Sequence, residues 1–69
     1  MIDKKALDKA IESSGKSKKY LAKKLGISTT SFYYKRCNIT EFSSREMFIL
    51  TDELNLSEIE SRKIFYPSN

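Results

Sequence analysis

The segment Ser17-Lys18-Lys19-Tyr20-Leu21-Ala22-Lys23-Lys24-Leu25-Gly26-Ile27-Ser28-Thr29-Thr30-Ser31-Phe32 constrains the fold more than any other part of the chain. Leu21 and Leu25 recur at helical spacing with small Ala22 beside them, so a helix from Ser17 to Leu25 has one apolar face. Gly26 follows where that helix has to turn sharply, and it supplies a positive φ at low steric cost. Ser28 is an N-cap for a second helix, and Phe32 is offered to the same core. Two short helices joined by so tight a turn have to cross near Ala22. Leu21, Leu25, Ile27 and Phe32 then form the wedge that fixes the angle between them.

The rest of the sequence repeats this grammar of caps and apolar stripes. Asp3 caps a first helix whose stripe is Leu7, Ala10 and Ile11, with Ile2 as a staple ahead of the cap. Ser13-Ser14-Gly15 ends it. The helix after Ser28 runs to Lys35 or Arg36. Residues Cys37 to Phe42 form a loop with Ile39 and Phe42 expected to point inward. Ser43-Ser44-Arg45-Glu46 is a capping box for a fourth helix. Met47, Leu50 and Leu54 form its stripe, which Phe48 widens. Asn55 ends that helix. A second box, Ser57-Glu58-Ile59-Glu60, opens a fifth helix carrying Ile59, Ile64 and Phe65, which stops before Pro67. Glycine occurs only at 15 and 26 and proline only at 67. No stretch alternates apolar and polar residues over a strand's length, which argues against a sheet. The expectation is a compact all-α domain of five helices spanning 1–69, with the helix-turn-helix over about 17–36.

Composition removes several functions. With one cysteine and no histidine in 69 residues, the chain can form no internal disulfide. It also lacks the usual ligands for zinc and the Cys–His or Ser–His pairs of nucleophilic catalysis. No cofactor box is present, so neither an enzyme nor a metal or cofactor site is expected. The longest apolar run, Met47 to Leu50, is too short to cross a bilayer, and no signal-peptide hydrophobic region follows Met1. A soluble intracellular protein is the expectation. The net charge of +4 hides an asymmetry: residues 1–36 hold ten Lys or Arg against three Asp or Glu, and residues 37–69 hold three against six. Clustered positive charge in a small domain points to a polyanion. A helix with hydroxyls at its start and cations at its end suits the major groove of DNA.

The pattern Lys18-x-x-Leu21-Ala22-x-x-Leu25-Gly26-Ile27-Ser28-x-x-x-Phe32 resembles the helix-turn-helix of phage repressor and Cro-like (XRE-type) DNA-binding domains. The preceding helix, the later helix ending Leu54-Asn55-Leu56 and the tail Ile64-Phe65-Tyr66 extend the resemblance over nearly the whole chain. The tail is similar to that of small regulators of Gram-positive phages and mobile elements. The resemblance implies a lambda-repressor-like fold and a transcriptional regulator that reads a double-stranded DNA operator with its third helix. It places base reading on Thr29, Thr30, Tyr33 and Tyr34. Phosphate contacts fall on Lys18, Lys35, Arg36 and Asn38, with Ser17, Lys19 and Ser31 as weaker candidates. Lys4, Lys5, Lys9, Lys23 and Lys24 read as solvated surface.

Three positions after Phe32 the family has another apolar residue, whereas this chain has Lys35. Either the lysine stem lies over the core, or the helix is rotated and Tyr34 takes that place. A palindromic operator calls for a homodimer with half-sites about one helical turn apart. Phe48, Phe65 and Tyr66 are the surplus apolar residues for its interface, unless Phe65 closes the monomer core. Cys37 reads as a small filler. The rival expectation is an antirepressor-type module that keeps the fold but binds protein, since helix three has no Gln, Asn or Arg in its first turn.

Overall fold

The structure, a computed structural model, describes residues 1–68. Its five helices are α1 (Lys4–Ser14), α2 (Lys18–Leu25), α3 (Thr29–Arg36), α4 (Ser44–Glu53) and α5 (Glu58–Phe65), and the described residues contain no strand. Every start is capped as the side chains dictate. Asp3 accepts from the Ala6 amide, and Ser17, Ser28, Ser43 and Ser57 accept from Tyr20, Ser31, Glu46 and Glu60. Glu46 and Glu60 complete capping boxes by reaching back to the amides of Ser43 and Ser57 at 2.8 and 2.9 Å. Each such cap satisfies amides that a helix start would otherwise leave unpaired.

Three helix ends share one device. Gly26 has φ 74°, and the next amide, that of Ile27, donates to the Ala22 carbonyl at 3.1 Å. Asn38 (φ 64°) and Asn55 (φ 53°) do the same work after α3 and α4, with Ile39 donating to Tyr34 and Leu56 to Thr51. Asparagine tolerates the left-handed region better than other side chains, so it substitutes for glycine at these stops. The consequence at Asn38 corrects one expectation. The chain reverses there, and Ile39 is left 64% exposed rather than pointing inward.

The core gathers Leu7 and Ile11 of α1, Leu21, Ala22 and Leu25 of α2, Phe32 of α3, Phe42, Leu50 and Leu54, and Ile64 and Phe65 of α5. α2 packs on α3 and α4, and α1 packs on α5. Phe42 links the two groups, edge-on to Phe32 at 6.1 Å and to Phe65 at 5.9 Å between ring centroids. Such edge-to-face pairs add to the area they bury. The amide of Asp3 donates to the Ile64 carbonyl at 2.8 Å and closes α1 against the end of α5.

Two helical stripes are narrower than expected. Phe48 is 74% exposed and does not widen the stripe of α4, which runs through Glu46, Met47, Leu50 and Leu54. One position beyond Met47 rotates its side chain about 100° away from that line. Ile59 in the first turn of α5 is likewise exposed, while Ile64 and Phe65 are buried. No helix among the described residues is long and apolar enough to cross a membrane.

Candidate nucleic-acid interface

α3 sits on the core through Phe32, which is fully buried, and through Arg36 at its last turn. With about 100° between successive residues, positions 30, 33 and 34 then turn away from Phe32, and position 29 lies on the flank of that face. Thr29, Thr30, Tyr33 and Tyr34 are all exposed there. The rings of Tyr33 and Tyr34 lie 6.0 Å apart and tilted by 54°. Neither tyrosine is a core residue, so the rotation in which Tyr34 replaces the missing apolar side chain is not adopted. The helix keeps Phe32 inward and Lys35 takes that place instead.

Lys35 achieves this through its partners. Its side chain is 17% exposed, with Nζ 3.2 Å from Glu46 Oε1 and donating to the Glu41 carbonyl at 2.8 Å. Arg36 goes further inside. Its guanidinium donates to Asp8 Oδ1 at 3.0 Å and lies over the Phe32 ring at 5.1 Å and the Tyr33 ring at 5.7 Å. Its buried Nε has no hydrogen-bond partner among the described residues. Asn38 uses both ends of its carboxamide on Ile2, accepting from the amide at 2.7 Å and donating to the carbonyl at 3.1 Å. Lys35, Arg36 and Asn38, expected at phosphates, thus all have their side chains engaged within the domain. Arg36 and Asn38 are held by partners from a distant part of the chain, Lys35 by the loop and helix start that follow it.

The carboxylates that hold these cations are themselves held ionised. Burial pushes the Asp8 carboxyl up, but hydrogen bonds from Lys4 and Arg36 outweigh it and leave its pKa below the ordinary value. Burial acts the same way on Glu46. The Ser43 amide and the Lys35 ammonium overcome it, so that carboxyl too is lowered. Both are cases of a charged form stabilised by donors against desolvation.

The remaining candidates lie at helix starts. Lys18 and Lys19 occupy the first turn of α2, are exposed, and have no carboxylate in ion-pair range among the described residues. Ser17 caps α2 and Ser31 is half-buried in the first turn of α3. No acidic side chain occupies the first turn of either helix. A helix start without its own carboxylate keeps its amide dipoles available to an external anion.

One cluster near this surface was not anticipated. Lys16 binds Glu53 through both its carboxylate, at 2.9 Å, and its carbonyl, at 2.6 Å. The Tyr20 hydroxyl donates to the same carboxylate at 3.0 Å, and the ammonium groups of Lys16 and Lys24 each lie 5.7 Å from the Tyr20 ring centroid. The group ties the start of α2 to the end of α4. It joins residues more than thirty positions apart, so nothing in local spacing marks it. Hydrogen bonds from Lys16 and then Tyr20 hold the Glu53 carboxyl below its ordinary value.

The three residues expected at a dimer contact separate. Phe65 is buried and closes the monomer core, which corrects its place in an interface. Phe48 and Tyr66 remain 74% and 65% exposed. With Met47, Thr51, Glu58 and Arg62 they line an open groove of about 460 Å³ between α4 and α5. Cys37 is a free, half-buried thiol at the end of α3. No cluster of three or more metal-ligating side chains occurs among the described residues. In comparison with known proteins, the chain matches no protein family, no curated protein and no solved structure.

Proposed function

We propose that the chain is a sequence-specific DNA-binding transcriptional regulator, with α2 and α3 acting as a helix-turn-helix of the repressor and Cro-like kind. The observation that carries this reading is the outward face of α3. Thr29, Thr30, Tyr33 and Tyr34 stand exposed on a helix whose buried side fixes it rigidly to the core. No carboxylate lies in its first turn to repel a polyanion. Unpaired Lys18 and Lys19 at the start of α2 supply the phosphate contacts that set orientation, and the hydroxyls and rings of α3 meet base edges. The motif Leu21-Ala22-x-x-Leu25-Gly26-Ile27-Ser28 supports the same reading.

A palindromic site requires two copies. The groove beside Phe48 and Tyr66 is where the second copy of this chain would dock, with those two exposed rings as its apolar contacts. A two-fold contact brings each such patch against itself. The exposed Phe48, Ile59 and Tyr66 also favour a protein contact more generally. An antirepressor-type module would use that face and leave α3 idle.

A titration of the protein against duplexes selected from a random pool, and against scrambled duplexes of equal composition, tests the reading at two salt concentrations. A preference of about a thousandfold or more is expected of an operator-specific regulator. Equal, salt-sensitive binding to both duplexes, or none, would contradict it.

A further inference from the structure

We infer that α3 discriminates sequence by apolar contact with thymine 5-methyl groups rather than by paired hydrogen bonds to guanine or adenine; this rests on the DNA-binding reading above. In the major groove, guanine is read through O6 and N7 by Arg or Lys, and adenine through N6 and N7 by Asn or Gln. α3 and the residues just beyond it contain three side chains of these types, Lys35, Arg36 and Asn38. The fold withdraws every one. Lys35 is held by Glu46 at 3.2 Å, Arg36 by Asp8 at 3.0 Å, and Asn38 by both backbone groups of Ile2.

What faces outward instead is two threonines and two tyrosines, all exposed. Thr29 and Thr30 each present a γ-methyl beside a hydroxyl. Tyr33 and Tyr34 present ring faces whose centroids lie 6.0 Å apart. The threonine hydroxyls hydrogen-bond to any base edge and discriminate weakly. The only apolar group on the major-groove edge is the thymine methyl, and methyls and rings are the chemistry that recognises it. α3 therefore selects A·T pairs through the thymine strand, while Lys18 and Lys19 grip phosphates of any sequence.

The test uses the full chain and the duplex enriched from a random pool. Each thymine is replaced in turn by deoxyuridine, which removes the methyl and keeps the pairing. Each guanine is replaced by 7-deazaguanine, which removes the N7 acceptor. Affinity is expected to fall about fourfold for each contacted methyl removed, the cost of one buried methyl-sized group. The 7-deazaguanine series is expected to change it by less than about twofold. Thr30→Ser keeps the hydroxyl and the helix but lacks the γ-methyl. It is expected to bind the thymine and uracil duplexes alike at the position it contacts.

Sequence-specific binding that is indifferent to every thymine methyl overturns the inference, whichever group is then read. So does a loss in the guanine series larger than that in the thymine series. Failure to enrich any duplex contradicts the DNA-binding reading itself, so the two failures are distinguishable.

Discussion

Helices α3 and α5 share a length of eight residues, a serine N-cap, two buried side chains and two cations in the last turn. They present opposite surfaces. The first turn of α5 carries Glu58 and Glu60, and the Glu60 carboxylate already occupies the Ser57 amide at 2.9 Å. The first turn of α3 carries Thr29, Thr30 and Ser31 and leaves its dipole open. The cations diverge as well. Lys35 and Arg36 turn inward to Glu46 and Asp8, with side chains 17% and 8% exposed, whereas Arg62 stays 71% exposed beside its own helix's Glu58. Residue type at a given helical position therefore does not fix where its charge goes. The partner does, and for α3 the partners lie on α4 and α1. The effect is to clear α3 of both signs of charge on the side that faces solvent.

Both helices depend at the core on one aromatic ring, and its loss has the largest expected effect. Phe32→Ala and Phe65→Ala are each expected to cost about 3 to 5 kcal/mol in urea denaturation, enough to unfold a domain this small. A stable Phe65→Ala variant would show that Phe65 does not close the monomer core. Next comes the first turn of α3. Thr30→Glu gives it the acidic character of α5, and DNA affinity is expected to fall about a hundredfold while stability changes by less than about 1 kcal/mol. Lys63→Glu on α5 is the control, with an expected change below about threefold.

A smaller contrast lies in the last turns. Removing Arg36 leaves Asp8 partly exposed and still held by Lys4, so Arg36→Ala is expected to cost about 2 kcal/mol, less than a wholly buried pair would. Arg62→Ala should cost about 0.5 kcal/mol or less, as exposed pairs within one helix do. Equal losses measured by thermal unfolding would erase the difference between the two helices.

The smallest effect is the response to acid. The lowered pKa values of Asp8 and Glu46 mean that their contribution is complete above the ordinary carboxylate values of 3.8 and 4.5. It is lost as pH falls through the lower folded-state values. Stability is thus expected to be level above about pH 5 and to decline on acidification. Glu46→Gln should flatten part of that decline; an unchanged slope would mean that the pair with Lys35 contributes nothing.

The helix frame was legible in the sequence because caps and stops act locally. Ser17, Ser28, Ser43 and Ser57 bond amides three residues on, and Gly15 and Gly26 take the left-handed turns that end α1 and α2. The exposed Thr30, Tyr33 and Tyr34 of α3 follow from the same helical spacing once Phe32 is placed inside. The roles of Arg36 and Asn38 were not legible, whereas the inward course of Lys35 was one of the two placements its position after Phe32 allowed. Arg36 meets Asp8 across 28 positions and Asn38 meets Ile2 across 36, distances at which sequence spacing carries no signal. The exposure of Phe48 and Ile59 was in principle readable from the 100° step, which places each outside its helix's apolar line. Hydrophobicity alone, without that angle, counts Phe48 toward the apolar stripe of α4.

Amide chemical-shift mapping separates a DNA-contacting surface on α3 and the start of α2 from one on α5. The labelled full chain is titrated with its selected duplex. The largest shifts are expected on Lys18, Lys19 and residues 29–34, with only smaller ones at Glu58 and Arg62, where the second copy docks. Shifts concentrated instead around Phe48, Ile59 and Tyr66, with α3 silent, would contradict the DNA-binding reading.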